Sequence, residues 1–216
     1  MVTTTVLVKH EHACVRVVRD GTALLFDPGT LGPPPSLIGV GAILISHGHY
    51  DHVRRDVLLE ASRRGISIYG PSDSLPAIGA HVGMAVLSAG ERVTISGFSV
   101  TVVGGRHAKM HPHRQGPENL GYLLDGRILI TGDEHPDVTG DIDVLVTPID
   151  APWLCESDLI EYVQRVRPRL LVGVHDGLLN DAGLVVADSV LATLKSEGAG
   201  DVVRPRVGQA LPLEIS

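Results

Sequence analysis

Apolar residues along this chain come in short bursts rich in Val, Leu and Ile, separated by Gly, Pro and Asp. "TTVLVKH" and "ACVRVVRDGTALLFDPG" read as strands, the second being two apolar runs joined by a turn at Asp20-Gly21, so the chain is expected to open with a β-hairpin. "LGPPPSL" is loop, because three successive prolines neither donate to a ladder nor continue a helix. "GVGAILIS" is an unbroken apolar run, the pattern of a strand buried on both faces. The spacing then becomes helical over "DHVRRDVLLEASRRG", which ends on Gly65, a residue suited to a helix C-terminus.

The remaining pattern predicts strand "ISIYG", a helix or loop rich in small residues, strands "RVTISG" and "FSVTVVGG", the polar loop "RHAKMHPHRQGPEN", and strands "LGYLLDG" and "RILITGD". A closing series alternates buried strands "IDVLVTP" and "RLLVGVH" with amphipathic helices "ESDLIEYVQRVR" and "DSVLATLKSEG". Antiparallel-looking blocks of strands with helices in each half predict an α/β (α+β) fold of two mixed β-sheets with helices outside. No linker or short repeat divides the chain, and 216 residues suit one domain, 1–216.

Composition narrows the function classes. Hydrophobic residues make up 44% and aromatics only 3%, so the core is aliphatic and the chain globular. A net charge of -7 repels a phosphate backbone, which argues against a nucleic-acid partner. The start has no basic and apolar leader pattern, and no apolar run is long enough to span a bilayer; a cytoplasmic protein without a membrane partner is the expectation. Cys14 and Cys155 are too few and too far apart for a disulfide framework or a CxxC site, and both read as reduced, buried small hydrophobes.

Against this background "LISHGHYDH" stands out. His47 and His49 are two apart, so in an extended chain leaving a strand their imidazoles point the same way and can meet one metal ion. Asp51 and His52 follow where the helical pattern begins, aimed at a second point nearby. Further candidate ligands each follow an apolar strand: His107 after "SVTVVGGR", Asp133 after "RILITG" and His175 after "RLLVGV". A carboxylate such as Asp133 can bridge two cations, and neutral imidazoles suit zinc, iron and related ions. A lone histidine is ordinarily a hydrogen-bonded surface or core residue, but a set of this kind points to a metal site.

"HGHYDH" resembles the HxHxDH signature of the metallo-β-lactamase superfamily, and "FDPG" at 26–29 resembles that superfamily's strand-end Asp motif. Within the superfamily, "HEHACVRV", "GGRHAKMHPH" and "APWL" are most similar to small stand-alone metal-dependent hydrolases related to L-ascorbate-6-phosphate lactonase. The resemblance implies a four-layer αββα sandwich with a dinuclear centre at the sheet edges. It implies that His47, His49 and His107 hold one divalent ion, Asp51, His52 and His175 the other, and Asp133 both, with Asp27 supporting the ligand loop. Zinc is the expected metal, with manganese and iron as alternatives. The implied reaction is metal-assisted hydrolysis of an ester, lactone or phosphodiester bond in a small-molecule substrate. An iron-dependent redox enzyme and a non-catalytic metal- or ligand-binding member of the same fold are the competing readings.

Other residues carry weaker signals. His111 and His113 share a loop with His107 and could replace it as ligand or contact substrate, although His107 is nearest the strand end. His135 could donate a proton to a leaving group, making Asp51, Asp133 and His135 the candidate catalytic residues. His10 and His12 are expected to share a face, as a structural pair, as a third metal site, or with His12 bordering the site, and Trp153 to pack in the core, with a pocket wall as the alternative. No dinucleotide-binding glycine pattern or serine-nucleophile elbow is present, and a homo-oligomer is compatible with this class of soluble enzyme.

Overall fold

In the computed structural model, which describes residues 4–215, the aliphatic bursts form two sheets. The first contains β1 (Thr5–Lys9), β2 (Val15–Arg19), β3 (Thr22–Phe26), β4 (Val40–Leu44), β5 (Ser67–Gly70), β6 (Ala85–Val86) and β14 (Ala210–Leu213), in the order β14-β1-β2-β3-β4-β5-β6. The second contains β7 (Arg92–Ile95), β8 (Phe98–Gly104), β9 (Leu120–Leu124), β10 (Ile128–Ile130), β11 (Val144–Pro148), β12 (Leu170–Val174) and β13 (Asp201–Val203), in the order β13-β12-β11-β10-β9-β8-β7. Helices α1 (Arg55–Arg63) and α2 (Leu75–Ile78) cover the first sheet, and α3 (Glu156–Val166) and α4 (Asp181–Glu197) cover the second.

Burial patterns explain the layers. Along β3 and β4, Leu24, Phe26, Ala42 and Leu44 face the other sheet, while Leu25 and Ile43 face α1. The second sheet does the same: Ile130, Val144 and Val146 enter the central core, and Leu129 and Leu145 pack under α3 and α4. Three apolar layers therefore separate four layers of backbone, the expected αββα sandwich. The opening hairpin forms at Asp20 and Gly21, both at positive φ as a two-residue type I′ loop requires.

Both sheets repeat one pairing scheme. Starting from β14 in the first sheet and from β7 in the second, three antiparallel pairings are followed by three parallel ones, and the switch falls at β3-β4 and at β10-β11. Strands β1, β3 and β4 thus run the same way in one sheet, as do β8, β10, β11 and β12 in the other. His12, Asp27, His47, His107, Asp133, Trp153 and His175 all lie on the loops that leave the C-terminal ends of these seven strands.

Several expectations are corrected. Helix α4 begins at Asp181, seven residues before the apolar periodicity at Asp188, because the Asn180 side chain caps it by accepting from the Gly183 N–H at 2.9 Å. Its first turns expose Val185 and Val186, so they lack an apolar face at helical spacing. Strands β6, β13 and β14 go beyond the expected elements; β14 tolerates Pro212 because it pairs only with β1 at a sheet edge. Cys14 is buried, but Cys155 is exposed at the start of α3.

The loop after β10 is built around a glycine. Gly132 has φ of 60°, and a Cβ there would lie 2.5 Å from Asn119 Oδ1 and 2.6 Å from Ser46 Cβ. That close approach lets Asn119 Oδ1 accept the Asp133 N–H at 2.9 Å, fixing the next residue. Gly132→Ala is expected to cost about 2 kcal/mol or more, from the left-handed backbone and the overlap together. A urea titration reads it as a lower midpoint at unchanged slope.

Candidate metal centre

The strand-end loops of both sheets deliver their polar side chains to one place. Asp27, His47, His52, His107, Asp133 and His175 are all buried there. Their ligand atoms form overlapping groups in which every pair lies within 4.8 Å: His47, His49 and His107; His12, Asp51, His52 and His175; and His47, His52 and Asp133. Asp133 lies between the first two groups, with Oδ2 at 3.4 Å from His107 Nε2 and 3.3 Å from His175 Nε2, and Oδ1 at 3.3 Å from His52 Nε2.

Hydrogen bonds on the far side of each ring decide what the near side offers. His107 Nδ1 donates to the Ala108 carbonyl at 2.7 Å, and His175 Nδ1 to the Asp150 carbonyl at 2.7 Å. Asp27 Oδ2 accepts from His52 Nδ1 at 2.9 Å and from the Ser46 hydroxyl at 2.7 Å. Since the Ser46 proton goes to Asp27, its oxygen is left to accept from His47 Nδ1 at 3.0 Å. In the neutral rings each Nε2 therefore presents a lone pair to the centre. His52, His107 and His175 Nε2, with Asp133 Oδ1, are buried without a hydrogen-bond partner among the described residues. Buried polar atoms are rarely left so, and a cluster of orphaned imidazole lone pairs around a carboxylate suits a divalent cation such as zinc.

His12 joins this cluster in a different role. Its Nδ1 accepts the Gly177 N–H at 3.1 Å, so in the neutral ring the proton sits on Nε2, 3.2 Å from Asp51 Oδ2. His12 is thus a donor that orients Asp51, not a lone pair for metal. Burial lowers its pKa and keeps it neutral. Its backbone is held as firmly: the His12 carbonyl accepts from the His175 N–H at 3.1 Å and from Lys9 Nζ at 2.6 Å. Lys9 is fully buried, donates also to the His10 carbonyl at 2.6 Å, and pairs with Asp176 at 3.1 Å. Burial lowers the Lys9 pKa, against the opposing pull of Asp176. The end of β1 in one sheet is in this way tied to the end of β12 in the other.

Charge in the centre is distributed unevenly. Burial works against ionisation of Asp133, but His52, His107 and His175 outweigh it and hold its pKa well below the ordinary carboxylate range. Asp51 is likewise lowered, to about 2, the cost of burial being overcome by His12, His52 and His175. Burial also opposes a charge on His52, yet Asp133, Asp27 and Asp51 raise its pKa to about 9. His47 goes the other way, driven well below its usual value by burial and by neighbouring His52.

The sequence pattern of the beta-lactamase superfamily domain matches residues 6–175. The chain belongs to the beta-lactamase superfamily. It is 31% identical over 177 residues to Protein Rv0786c of Mycobacterium tuberculosis, covering 78% of this chain and 82% of that one. It is 29% identical over 156 residues to a UPF0173 metal-dependent hydrolase of Cereibacter sphaeroides, covering 67% and 65% of the two chains. Among solved structures, the fold matches Igni18, a metallo hydrolase from Ignicoccus hospitalis, with a TM-score of 0.73 at 17% identity over 99% of this chain and 100% of that one.

In this superfamily member, the seven candidate ligands singled out in the sequence all stand in the groups described, while His111 and His113 do not. Both are exposed, and the His113 N–H donates to His111 Nδ1 at 3.1 Å. His135 also stands outside the groups: it stacks on Tyr162 at 4.6 Å, and burial lowers its pKa to about 4. His10 and His12 do not act as a pair; the turn after β1 gives His12 a φ of 53° and sends it alone into the centre, in keeping with the reading that has His12 bordering the site. Trp153 is half-buried rather than packed in the core, with Nε1 donating to Asp133 Oδ2 at 3.0 Å. Lys9, which the sequence does not single out, is a buried clamp. Only the partnership of segments 165 residues apart, as at His12 and Gly177, reveals these roles.

Two outcomes follow from this network. Lys9→Met removes the clamp and leaves Asp176 with Arg204 at 3.8 Å as its remaining cation; a loss of about 2–3 kcal/mol is expected in denaturant melts. In the metal-free protein, His52 carries a proton below about pH 9 that ligation must expel. Metal affinity, read by chelator competition, should rise by about tenfold per pH unit for that one proton as the pH climbs toward this value. The stabilising contribution of protonated His52 to the metal-free fold runs oppositely: it is complete below its unfolded pKa of about 6.5 and is lost as the pH rises through about 9.

Proposed function

We propose that the chain is a metal-dependent hydrolase that activates water at a dinuclear centre, with zinc as the metal, and cleaves an ester, lactone or phosphodiester bond in a small molecule. The observation that carries this reading is the set of buried, partnerless Nε2 atoms on His52, His107 and His175 around Asp133, each ring anchored through Nδ1. The names of the relatives, a metal-dependent hydrolase and a metallo hydrolase, agree with it.

In this reading His47, His49 and His107 hold one ion, Asp51, His52 and His175 the second, and Asp133 reaches both. When bound, such ions supply Lewis acidity that lowers the pKa of water and polarises the oxygen of the bond under attack. The protein's own residues do the rest. Asp51, oriented by His12 and with a pKa near 2, is ionised at neutral pH and serves as proton acceptor for the attacking water. Trp153 holds one oxygen of Asp133 and, half-buried beside His107 at 5.8 Å between ring centroids, walls the site from solvent. His135, the other proton carrier suggested by the sequence, would act from its neutral form, since its pKa is about 4.

Elemental analysis of the purified protein, paired with turnover of a generic lactone and a generic phosphodiester, tests the proposal. Two zinc ions per chain with turnover are expected. In Asp133→Ala, turnover should vanish and metal content fall toward one ion, whereas His135→Ala should leave the stoichiometry unchanged. Full activity in Asp133→Ala would remove the two-metal mechanism. A coloured, iron-bearing protein that hydrolyses nothing would favour the redox reading.

A further inference from the structure

The loop that follows β8 differs in charge from the rest of the molecule. The chain has 25 acidic residues and a net charge of -7, yet residues 92–117 contain no Asp or Glu. Arg106, Lys109, His113 and Arg114 fall within that stretch and line one cavity of about 420 Å³. His107 lines the same cavity, and its Nε2 also faces Asp133 in the metal centre. Among the described residues, Arg106, Lys109 and Arg114 form no ion pair, whereas Arg19, Arg64 and Arg204 do. The loop is closed at its base by the His107 N–H, which donates to the Pro117 carbonyl at 3.0 Å, and by Arg106, which donates to the Gly116 carbonyl at 3.3 Å. Gly116 packs so closely that a Cβ on it would stand 3.0 Å from His107 Cβ.

We propose that this cavity is a subsite for an anionic substituent of the substrate, a carboxylate or a phosphoryl group, bound by Arg106, Lys109 and Arg114 while the bond to be cleaved lies at the metal centre. This rests on the hydrolase reading above and narrows its substrate class. Three like charges left without counterions around one concavity repel one another, and an anion seated among them relieves that repulsion through charge-assisted hydrogen bonds. Guanidinium forks suit either planar carboxylate or tetrahedral phosphoryl oxygens. Because His107 belongs to both places, an anion held here sets the distance from charged group to scissile bond, which is how binding away from the chemistry orients a substrate. The same cations give an otherwise acidic protein a local field that draws an anionic substrate toward the site.

Metal-loaded wild-type protein and the combined Arg106→Ala, Lys109→Ala, Arg114→Ala variant, matched for metal content, would be titrated calorimetrically with inorganic phosphate and, separately, with succinate at low ionic strength. At least one anion should bind the wild type and bind the variant about tenfold or more weakly. Loss confined to phosphate identifies a phosphoryl group, and loss confined to succinate a carboxylate. Equal affinity in the two proteins would place the anion on the metals alone and overturn the proposal, as would no binding of either anion. A second arm compares mono-4-nitrophenyl succinate with 4-nitrophenyl acetate. The charged ester should have the higher kcat/KM, and the variant should lose that preference mainly through KM. Anion binding that the variant abolishes, with neither these esters nor the generic lactone and phosphodiester hydrolysed by the wild type, keeps the subsite and removes the hydrolase reading. Hydrolysis with a preference the variant does not change keeps the hydrolase reading and removes the subsite.

Discussion

A carboxylate buried at the meeting of two sheets is the constraint on which the rest depends. Asp133 is 3% exposed, and an isolated charge in that position would cost several kcal/mol. It is held ionised chiefly by the positive charge on His52 and by the Trp153 indole, which donates to it, while His107 and His175 converge on it from two further loops. The imidazoles can converge only if their rings are fixed, so each is tied through Nδ1 to a carbonyl or to Asp27. The backbone must deliver them there, which brings in Gly132, Asn119 and the strand-end turn at His12.

The repeated pairing scheme of the sheets explains why the site lies where it does. In each sheet the change from antiparallel to parallel pairing follows the same strand position, and an aspartate stands just beyond it: Asp27 after β3, Asp133 after β10. The two are used differently. Asp27 is turned inward to Ser46 and His52 and supports the ligand loop, while Asp133 faces the ligands themselves. Connections leaving the C-terminal ends of parallel strands are where such sheets open a crevice, and here two sheets open on the same side.

Rigidity and openness are divided between the ligand shell and its surroundings. The ligands are buried and tied by backbone contacts, whereas the basic loop after β8 is exposed and joined to the shell through His107. A rigid metal-binding shell beside an adaptable rim suits a fold that changes substrate by loop variation while keeping its chemistry.

What the sequence determined by itself was local. The cluster His47, His49, Asp51 and His52 is legible because six residues leaving one strand keep their relative directions whatever the rest of the fold does. Asp133 and His175 are legible because each follows an apolar run, and such runs become buried strands. Two mixed sheets with helices outside follow from those same runs and from the three helical patterns among them, while the four-layer arrangement was implied by the resemblance that "HGHYDH" carries. The sequence favoured His107 over His111 and His113 as nearest the strand end, and tertiary structure brings only His107 of the three into the centre, its ring tied to the Ala108 carbonyl. Tertiary structure alone moved Trp153 from core to metal centre, made His12 a donor and turned Lys9 into a buried clamp. Each of those roles is a hydrogen bond to a partner 20 to 167 residues away, and no local pattern encodes the pairing of distant segments.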